Sequence, residues 1–441
     1  MQSIRMPLND ALFVSSEDHF PGVSVICTVV AWFHGNTSTL AELQEAVRRR
    51  WAAIPRLSMK MDKDQWGRPM WATGETFLAE RHVRSYPGTD DEGLRKLVSK
   101  LALAGVDRDV PPWELLLVPQ TGGEFCLVLR FHHALLDGAS AGTLLRILLK
   151  EPTAPGPMPA GALVPASIPK PRLTASGLWE AARAHSPADL WRAVTCAPPT
   201  GPGSLAWAHL PFDVLAAARR SLPGQRITVN DVFMAAVAAA FATHPQLLRD
   251  RSRPFRVMFP VDLRTPSQED HLGNITSMDT VALSTDTADR HQRLLRTHHA
   301  MQEVKRLGRP AGGLALLTGL ARIGGKRAIK RAAAYMMTEH YADVLCSNVR
   351  VRWTDAHLLG RPLLKMCMLP PHLHRDNTFV QLTNYASTLG ITAMAPQRHH
   401  GTAASLVSAV CDEIRALAGE PPSSPAPHPD QRTHGPTEKV D

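Results

Sequence analysis

A proline-rich stretch near the middle of the chain is the feature that most restricts how it can fold. Seven prolines lie within residues 152–171, and no helix continues through them because proline lacks the backbone N–H donor. A second breaker, APPTGPGS, follows at residues 197–204. Since 441 residues also exceed what one hydrophobic core usually takes, we expect two folded regions, residues 1–150 and 206–419, joined by a linker of residues 151–205 with one helical piece.

Strand and helix patterns alternate in both regions, which predicts an α/β fold. VSVICTVVAWF (residues 23–33) is rich in β-branched and aromatic residues and predicts a strand. Thr39 and Glu42 form a candidate capping box before an amphipathic helix. WELLLVP and EFCLVLRF flank the turn residues TGG and predict a hairpin. The second region repeats this mixture, and its predicted strands include FRVMFPVD and LLKMCML.

Composition restricts the class of protein. No apolar stretch reaches the ~20 residues of a membrane-spanning helix, and the first residues lack the apolar segment of a signal peptide, so we expect a cytoplasmic protein. The six cysteines are scattered without a C-x-x-C pair, which predicts neither disulfides nor a metal site. Residues 420–441 have few apolar side chains to bury and should be disordered.

The positive charge is concentrated in one stretch. Ten lysines and arginines lie between Arg293 and Arg331 against one acid, Glu303, and this difference of nine equals the net charge of the whole chain, +9. No nucleic-acid-binding motif accompanies the charge, so we expect no nucleic acid partner. A solvated helix face, a site for cofactor phosphates and a lipid-binding surface are all compatible with it. We predict that residues 312–331 bind a membrane or lipid-droplet surface reversibly.

Two catalytic signatures overlap in LRFHHALLDGASAG, residues 129–142. GASAG fits the G-x-S-x-G pattern of serine hydrolases, but that pattern needs a strand running directly into the first glycine. HHALLD intervenes here, so we expect Ser140 to help begin the next helix, with Gly138 and Gly142 allowing close packing. HHALLDG fits acid–base chemistry better. Adjacent side chains at a strand end point to opposite faces, so only one histidine can face a given cavity.

Other segments accompany HHALLDG in a fixed order. They are MPLNDALFVSSED, PPWELLLV, TVNDVFMAAVAAAF, PVDLR, LGNITS, and SNV followed by LLGRP, and they extend from residue 6 to about residue 395. Together they resemble the bacterial wax ester synthase/diacylglycerol acyltransferase family, within the CoA-dependent acyltransferases that carry HHxxxDG. Arg350-Val351-Arg352 replaces the Pro-Gly-Pro usual in that family, and TLGITAMAPQRHH lacks the family's usual ending. Both departures fall in the second region and concern the choice of acceptor or acyl chain.

The resemblance implies an α/β (α+β) fold of two chloramphenicol-acetyltransferase-like lobes, with mixed sheets and a tunnel between them. It implies transfer of a fatty acyl group from acyl-CoA, a co-substrate and not a permanently bound cofactor, to a hydrophobic alcohol. A long-chain alcohol would give a wax ester and diacylglycerol would give triacylglycerol, at the inner membrane or on lipid inclusions. The alternative is a tailoring or condensation-type enzyme that acylates a specialised metabolite, with CoA or a carrier protein as donor.

The resemblance also assigns the first lobe's site residues. His133 is the general base that removes the proton of the acceptor hydroxyl, and His132 is mainly structural. An imidazole with a pKa of about 6.5 suits this task at neutral pH. We expect Asp137, next to Gly138, to form a buried ion pair with Arg264 and to take no part in proton transfer.

Candidates for the second lobe's part of the site are Asn230, Ser347 and Asn348. A tetrahedral oxyanion needs preorganised hydrogen-bond donors, and these side chains could supply them. Each also has a structural alternative. Asn230 could cap the alanine-rich helix, because asparagine is a preferred cap residue, and Ser347 and Asn348 could satisfy backbone groups at a strand end.

Overall fold

The computed structural model describes most of the two predicted regions and little of what lies between and after them. Within the linker it describes residues 158–163, the helix Ala175–Arg183 and the last residues before the second region. Most of the tail 420–441 lies outside the described residues, so the prediction that it is disordered stays a prediction. The described ranges are 2–20, 23–149, 158–163, 174–183, 203–248, 254–336, 341–371, 378–396 and 401–421.

The described residues form two large mixed sheets and one small sheet. The strands are β1 (Gln2–Arg5), β2 (Ile26–His34), β3 (Lys60–Lys63), β4 (Pro69–Thr73), β5 (Val83–Ser85), β6 (Trp113–Gln120), β7 (Glu124–His132), β8 (Ser204–Pro211), β9 (Phe255–Asp262), β10 (Thr276–Leu283), β11 (Val344–Arg350), β12 (His357–Leu358), β13 (Arg361–Leu369), β14 (Thr378–Tyr385) and β15 (Thr388–Ala395).

The helices cover the faces of these sheets. They are α1 (Leu8–His19), α2 (Leu40–Trp51), α3 (Ala79–His82), α4 (Asp91–Leu103), α5 (Gly138–Leu149), α6 (Ala175–Arg183), α7 (Phe212–Arg220), α8 (Val229–Thr243), α9 (Arg290–Leu307), α10 (Arg309–Met336) and α11 (Thr402–Leu417). The predicted capping box at the start of α2 is present, because the Thr39 and Glu42 side chains each accept the other residue's backbone N–H.

The first large sheet has the strand order β12-β13-β2-β7-β6-β5. The predicted hairpin is confirmed, since β6 and β7 pair antiparallel from Trp113 opposite Phe131 to Gln120 opposite Glu124. The assignment of LLKMCML to the second lobe is wrong. This segment is β13, which pairs antiparallel with β2 of the first sheet. Its apolar pattern predicts a strand correctly, but the identity of a distant partner strand is not encoded in that pattern.

The second large sheet has the order β10-β9-β11-β14-β15-β8. Strand β11 runs parallel to β9 and β14, while the other pairs are antiparallel. In the first large sheet β5 runs parallel to β6, so both large sheets contain parallel and antiparallel pairs, as predicted. The small sheet, β1-β4-β3, has no counterpart in the predictions.

Two separate hydrophobic cores lie under the two large sheets. Helix α8 shows how the second core forms. Its segment VNDVFMAAVAAAFAT is apolar almost all round, and ten of its residues are buried, as expected of a helix packed on several sides. Thr228 caps this helix through a capping box with Asp231. The suggestion that Asn230 is the cap is therefore wrong, because the chain is already helical at Val229.

Candidate functional site

The two adjacent histidines lie at the end of β7, a central strand of the first sheet, and their side chains point to different places, as predicted. His132 ends β7 and its side chain is fully buried. Its Nδ1 accepts the backbone N–H of Ala134 at 3.0 Å, and its Nε2 lies 3.2 Å from Glu17 Oε2. Because Nδ1 accepts, the ring proton is on Nε2 and is donated to Glu17. His132 is fully engaged in the fold and does not line the cavity that His133 faces.

His133 lies in the wall of a cavity of about 610 Å³ that both lobes line. This volume falls in the range of small-molecule sites. Phe13 stacks on the imidazole with ring centroids 3.9 Å apart and planes 12° apart. Burial lowers the pKa of His133 below its ordinary value, and this effect outweighs the opposing influence of Asp137. The ring is therefore neutral, and able to accept a proton, at neutral pH.

Asn274, which the sequence analysis did not select, contacts His133 from the second lobe. Its Oδ1 lies 3.1 Å from His133 Nδ1, and its Nδ2 donates to Asp10 Oδ1 at 2.9 Å. Asp10 Oδ2 in turn accepts from Arg56 Nη2 at 2.5 Å and from Trp71 Nε1 at 2.9 Å. Asp10 and Asn274 belong to MPLNDALFVSSED and LGNITS, two of the segments in the motif order. The presence of both residues in these motifs could have suggested a functional role, but the motif order does not indicate that either residue lies beside His133.

The structure contains the predicted ion pair between Asp137 and Arg264. Both terminal guanidinium nitrogens take part, with Nη1–Oδ2 at 2.9 Å and Nη2–Oδ1 at 3.0 Å, and both side chains are almost fully buried. The backbone N–H groups of Ser140 and Ile275 also donate to this carboxylate, at 2.8 and 3.0 Å. Burial raises the pKa of Asp137, but Arg264 more than offsets this and holds it below its ordinary value.

Ser140 has no free role as a nucleophile. Its hydroxyl is buried, donates to Gly273 O at 2.9 Å and accepts from Arg264 Nη2 at 2.8 Å. The expectation that Ser140 helps to begin helix α5 is wrong. The Asp137 carboxylate does so, since it accepts the backbone N–H of Ser140.

The two glycines of GASAG differ in what they pack against. A Cβ at Gly138 would lie 2.6 Å from Val349 Cγ2, so the approach of β11 requires glycine there. The expectation that Gly142 also serves close packing is wrong, because a Cβ there would have no heavy atom of the described chain within 4 Å.

The second lobe brings two of its three candidates into the cavity. Ser347 and Asn348 of β11 line it, and Asn230 is not among the described residues that do. Asn230 Oδ1 instead accepts a hydrogen bond from Asn348 Nδ2 at 2.8 Å, one layer behind the wall. Within the described chain the Ser347 hydroxyl makes no hydrogen bond to protein, so it can donate to a bound molecule.

The remainder of the cavity wall divides into a charged side and an apolar side. Arg146 pairs with Asp270 and Arg352 with Glu269. Arg350 is exposed, and no residue that the structure describes forms an ion pair with it. The apolar wall includes residues that share one hydrophobic cluster, and these are Phe13, Met278, Leu345 and Phe379.

The basic stretch begins in α9 and continues in the long helix α10, which is kinked at Gly325 (φ 52°). Its outer surface exposes Leu320, and Ile323 is 90% exposed. Trp66, at the tip of the β3–β4 hairpin, is 65% exposed, and Lys326 Nζ would lie 3.2 Å from a Cβ at the neighbouring Gly67. We call Trp66, Leu320, Ile323 and the basic side chains of residues 322–331 the α10 surface.

None of the described helices combines the length and apolarity needed to cross a membrane. Among the same residues, histidine, cysteine, aspartate and glutamate side chains form no group of three or more that could hold a metal ion.

Sequence comparison matches this chain to two family models. The wax ester synthase/diacylglycerol acyltransferase catalytic domain matches residues 6–256, and the C-terminal domain of the same family matches residues 272–418. A probable diacylglycerol O-acyltransferase of Mycobacterium tuberculosis is 30% identical over 134 residues, which is 29% of this chain and 49% of the relative. The chain spans about half the length of the curated relatives it matches.

Solved structures share the fold over almost the whole chain. The wax ester synthase/diacylglycerol acyltransferase of Marinobacter aquaeolei VT8 has a TM-score of 0.64 at 21% identity, covering 94% of this chain and 100% of that one. The first condensation domain of the CDA synthetase has a TM-score of 0.64 at 16% identity, covering 96% and 98%. At these identities the likeness concerns the fold alone.

Proposed function

Because this chain belongs to the wax ester synthase/diacylglycerol acyltransferase family, as its motif order predicted, we propose that it transfers a fatty acyl group from acyl-CoA to a hydrophobic alcohol. A long-chain alcohol would yield a wax ester, and diacylglycerol would yield triacylglycerol. The observation that carries this proposal is the cavity between the lobes, which has the His133 imidazole in its wall and an apolar side formed by one hydrophobic cluster.

His133 acts as general base in this proposal. Its imidazole takes the proton of the acceptor hydroxyl while the hydroxyl oxygen attacks the thioester carbonyl. The tetrahedral intermediate then collapses, the carbon–sulfur bond breaks, and the departing CoA thiolate takes the proton from the imidazolium. The products are an ester and free CoA. Asp137 takes no part in proton transfer, because both of its oxygens are held by Arg264 and by backbone N–H groups.

Ser347 and Asn348 stabilise the oxyanion of the tetrahedral intermediate. Both line the same cavity as His133 from the opposite lobe, and a donor in place before the reaction lowers the barrier because it needs no reorganisation. Asn230 holds the Asn348 amide in position. Removal of one such donor typically lowers kcat by about 10²–10³-fold, so a Ser347→Ala variant with the wild-type kcat would exclude Ser347 from this role.

The charged side of the cavity suits the anionic end of the donor. Arg146 and Arg352 are neutralised by acidic partners, whereas Arg350 is exposed and has no ion-pair partner among the described residues. An arginine of this kind can bind a phosphate oxygen of CoA. The Arg350-Val351-Arg352 segment that departs from the family pattern thus contributes to donor binding.

The α10 surface supports docking on a membrane or lipid inclusion. Its exposed tryptophan, leucine and isoleucine lie among basic side chains, the combination found in helices that lie on anionic lipid surfaces. Because long alcohols and diacylglycerol dissolve poorly in water, such a surface would bring the enzyme to its acceptor.

One assay tests the reaction and the identity of the acceptor. Free CoA released from palmitoyl-CoA would be measured with hexadecanol, with diacylglycerol and without acceptor. We expect acceptor-dependent release with at least one of the two lipids. Release without an ester product would contradict acyl transfer to these alcohols. Transfer from an acyl carrier protein but not from CoA would favour the condensation-type alternative.

A further inference from the structure

We propose that Asp10 and Asn274 set the tautomer of His133, so that Nδ1 carries the ring proton and Nε2 accepts the proton of the acceptor hydroxyl. The inference rests on the proposed function, in which His133 is the general base. Asp10 and Asn274 are positioning residues, because neither is among the described residues that line the cavity.

The orientation of the Asn274 amide follows from its neighbours. Nδ2 lies 2.9 Å from Asp10 Oδ1, 2.7 Å from His133 O and 3.1 Å from Ala134 O. All three neighbours are oxygens that accept hydrogen bonds, so an amide oxygen placed there would face three acceptors. The NH₂ group must occupy that position, and Oδ1 is left facing His133 Nδ1. Since Oδ1 can only accept, Nδ1 must carry the proton.

Asp10 is itself held so that one oxygen always faces Asn274. Its side chain is almost fully buried, and Oδ2 accepts from Arg56 and Trp71. Arg56 is fixed in turn, because its Nε and Nη2 donate to the carbonyls of Leu135 and Ala134, each at 2.8 Å. The arginine compensates the buried carboxylate, and this leaves Oδ1 for the Asn274 amide.

The other ring nitrogen of His133 is available for chemistry. Within the described part of the chain Nε2 makes no hydrogen bond to protein, and the ring lines the cavity with one face covered by Phe13. In the opposite tautomer Nε2 would carry a proton and could not accept another. His133 also has a hydrogen bond to its own backbone, and the contact with Asn274 adds to it, so that the neutral form with the base on the cavity side is favoured.

The direct test is the protonation pattern of His133 in the full chain. Two-bond ¹H–¹⁵N spectra of protein labelled with ¹⁵N-histidine distinguish the two tautomers, and the signals missing from a His133→Gln variant identify this residue. We expect a protonated Nδ1 and a bare Nε2 in the wild-type protein at neutral pH. A proton on Nε2 would overturn the inference. This measurement does not depend on turnover, so it remains decisive if acyl transfer itself is not observed.

A pair of asparagine variants tests the consequence for catalysis. Asn274→Ala should reduce kcat by about 10–10²-fold, a part of the ~10²–10⁴-fold that general-base catalysis supplies, with little change in the KM for acyl-CoA and with both His133 tautomers populated. Asn9→Ala is the matched control for structural support of this segment, because Asn9 is also a buried amide, and its Nδ2 donates to the backbone carbonyls of Thr276 at 2.7 Å and of Asn274 at 3.4 Å without contacting His133 or the Asn274 side chain. It should keep the wild-type tautomer and kcat.

Two outcomes of this comparison would contradict the proposal. One is an unchanged tautomer and kcat in Asn274→Ala. The other is an equal loss of kcat in both variants with the tautomer preserved, which would show that Asn274 only supports the fold. A His133→Gln enzyme that keeps full activity would instead overturn the proposed function and leave the tautomer assignment standing.

Discussion

His132 and His133 show how one peptide bond separates a structural side chain from a proposed catalytic one. A strand turns successive side chains to opposite faces, so His132 is enclosed with Glu17 while His133 enters the cavity beside Phe13. Ser140, seven residues later in helix α5, lies inside a hydrogen-bonded cluster with Arg264 and Gly273. Of the two overlapping signatures, only HHALLDG presents an imidazole to the cavity.

Removing the imidazole should abolish most of the activity. We expect His133→Ala to lose about 10²–10⁴-fold in kcat, the usual contribution of a general base. Ser140→Ala should lose far less, and its main effect should be on stability because the Ser140 hydroxyl makes buried hydrogen bonds. The check is kcat from CoA release for both variants. If Ser140→Ala were fully folded but inactive while His133→Ala stayed active, GASAG would be the catalytic motif.

The activity should depend on pH through His133. Burial disfavours the imidazolium, His132 adds to this effect and Asp137 opposes it, and the net result is a lowered pKa. Only the neutral ring can accept a proton, so kcat/KM should fall as the pH drops through a value below the ordinary pKa of about 6.5. The measurement is the pH profile of kcat/KM over a range where circular dichroism shows the fold intact. An acid limb centred above about 6.5 would contradict this prediction.

At the scale of single elements, helix α10 carries six of the ten basic residues of the stretch between Arg293 and Arg331. Gly325 takes a positive φ of 52° inside it, a conformation that favours glycine, and the helix changes direction there. The basic residues that follow the kink are exposed. The charge is therefore presented outward beside Trp66 and Ile323, while Ala332–Tyr335 are buried against the protein.

We predict that charge reversal on α10 weakens binding to anionic vesicles. Each basic residue near such a surface adds about 1 kcal/mol, so the triple variant Lys326→Glu, Arg327→Glu, Lys330→Glu should bind about 10²-fold less tightly. Cosedimentation with vesicles at low and high salt measures this. The KM for acyl-CoA should stay unchanged in the triple variant and should rise in Arg350→Ala, which lies at the cavity instead. A raised KM with intact vesicle binding in the triple variant would assign α10 to the CoA phosphates.

At the scale of the whole molecule, the two lobes are tied together by several connections. Strand β13 belongs to the second region in the sequence, but it lies in the first sheet, where it pairs with β2. The cavity wall, the Asn274–His133 contact and the Asp137–Arg264 pair also join residues from both regions. The site therefore exists only when the lobes are docked, and the contacts that dock them lie next to the proposed base.

Breaking the buried ion pair should destabilise the whole protein. Asp137→Ala leaves the Arg264 charge buried without its main partner, which typically costs ~3–5 kcal/mol in the free energy of unfolding. Asp262→Ala is the control, because Asp262 also pairs with Arg264, at 3.1 Å, but its side chain is 41% exposed. An exposed pair contributes about 0–1 kcal/mol. Denaturant unfolding of both variants measures the difference, and equal small losses would show that the buried pair is not required for docking.

The sequence by itself determined the local elements and the family. Strand patterns, the capping box at Thr39 and the hairpin before the histidines depend on neighbouring residues, so they were predictable from periodicity and turn chemistry. The ordered motifs identified the family and singled out His133. The pairing of Asp137 with Arg264 could be proposed because a buried carboxylate needs a cation and a matching arginine stood in a recognised motif.

Only the tertiary structure decided which distant groups meet. The insertion of β13 beside β2, the approach of Asn274 and Asp10 to His133, and the position of Asn230 behind Asn348 all join residues far apart in the chain. The alternating pattern of a strand shows that the strand has two faces, but it does not show which other strand it pairs with. A polar side chain in a motif likewise leaves its partner undefined. Those choices come from the packing of two complete lobes against each other, which no local stretch of residues encodes.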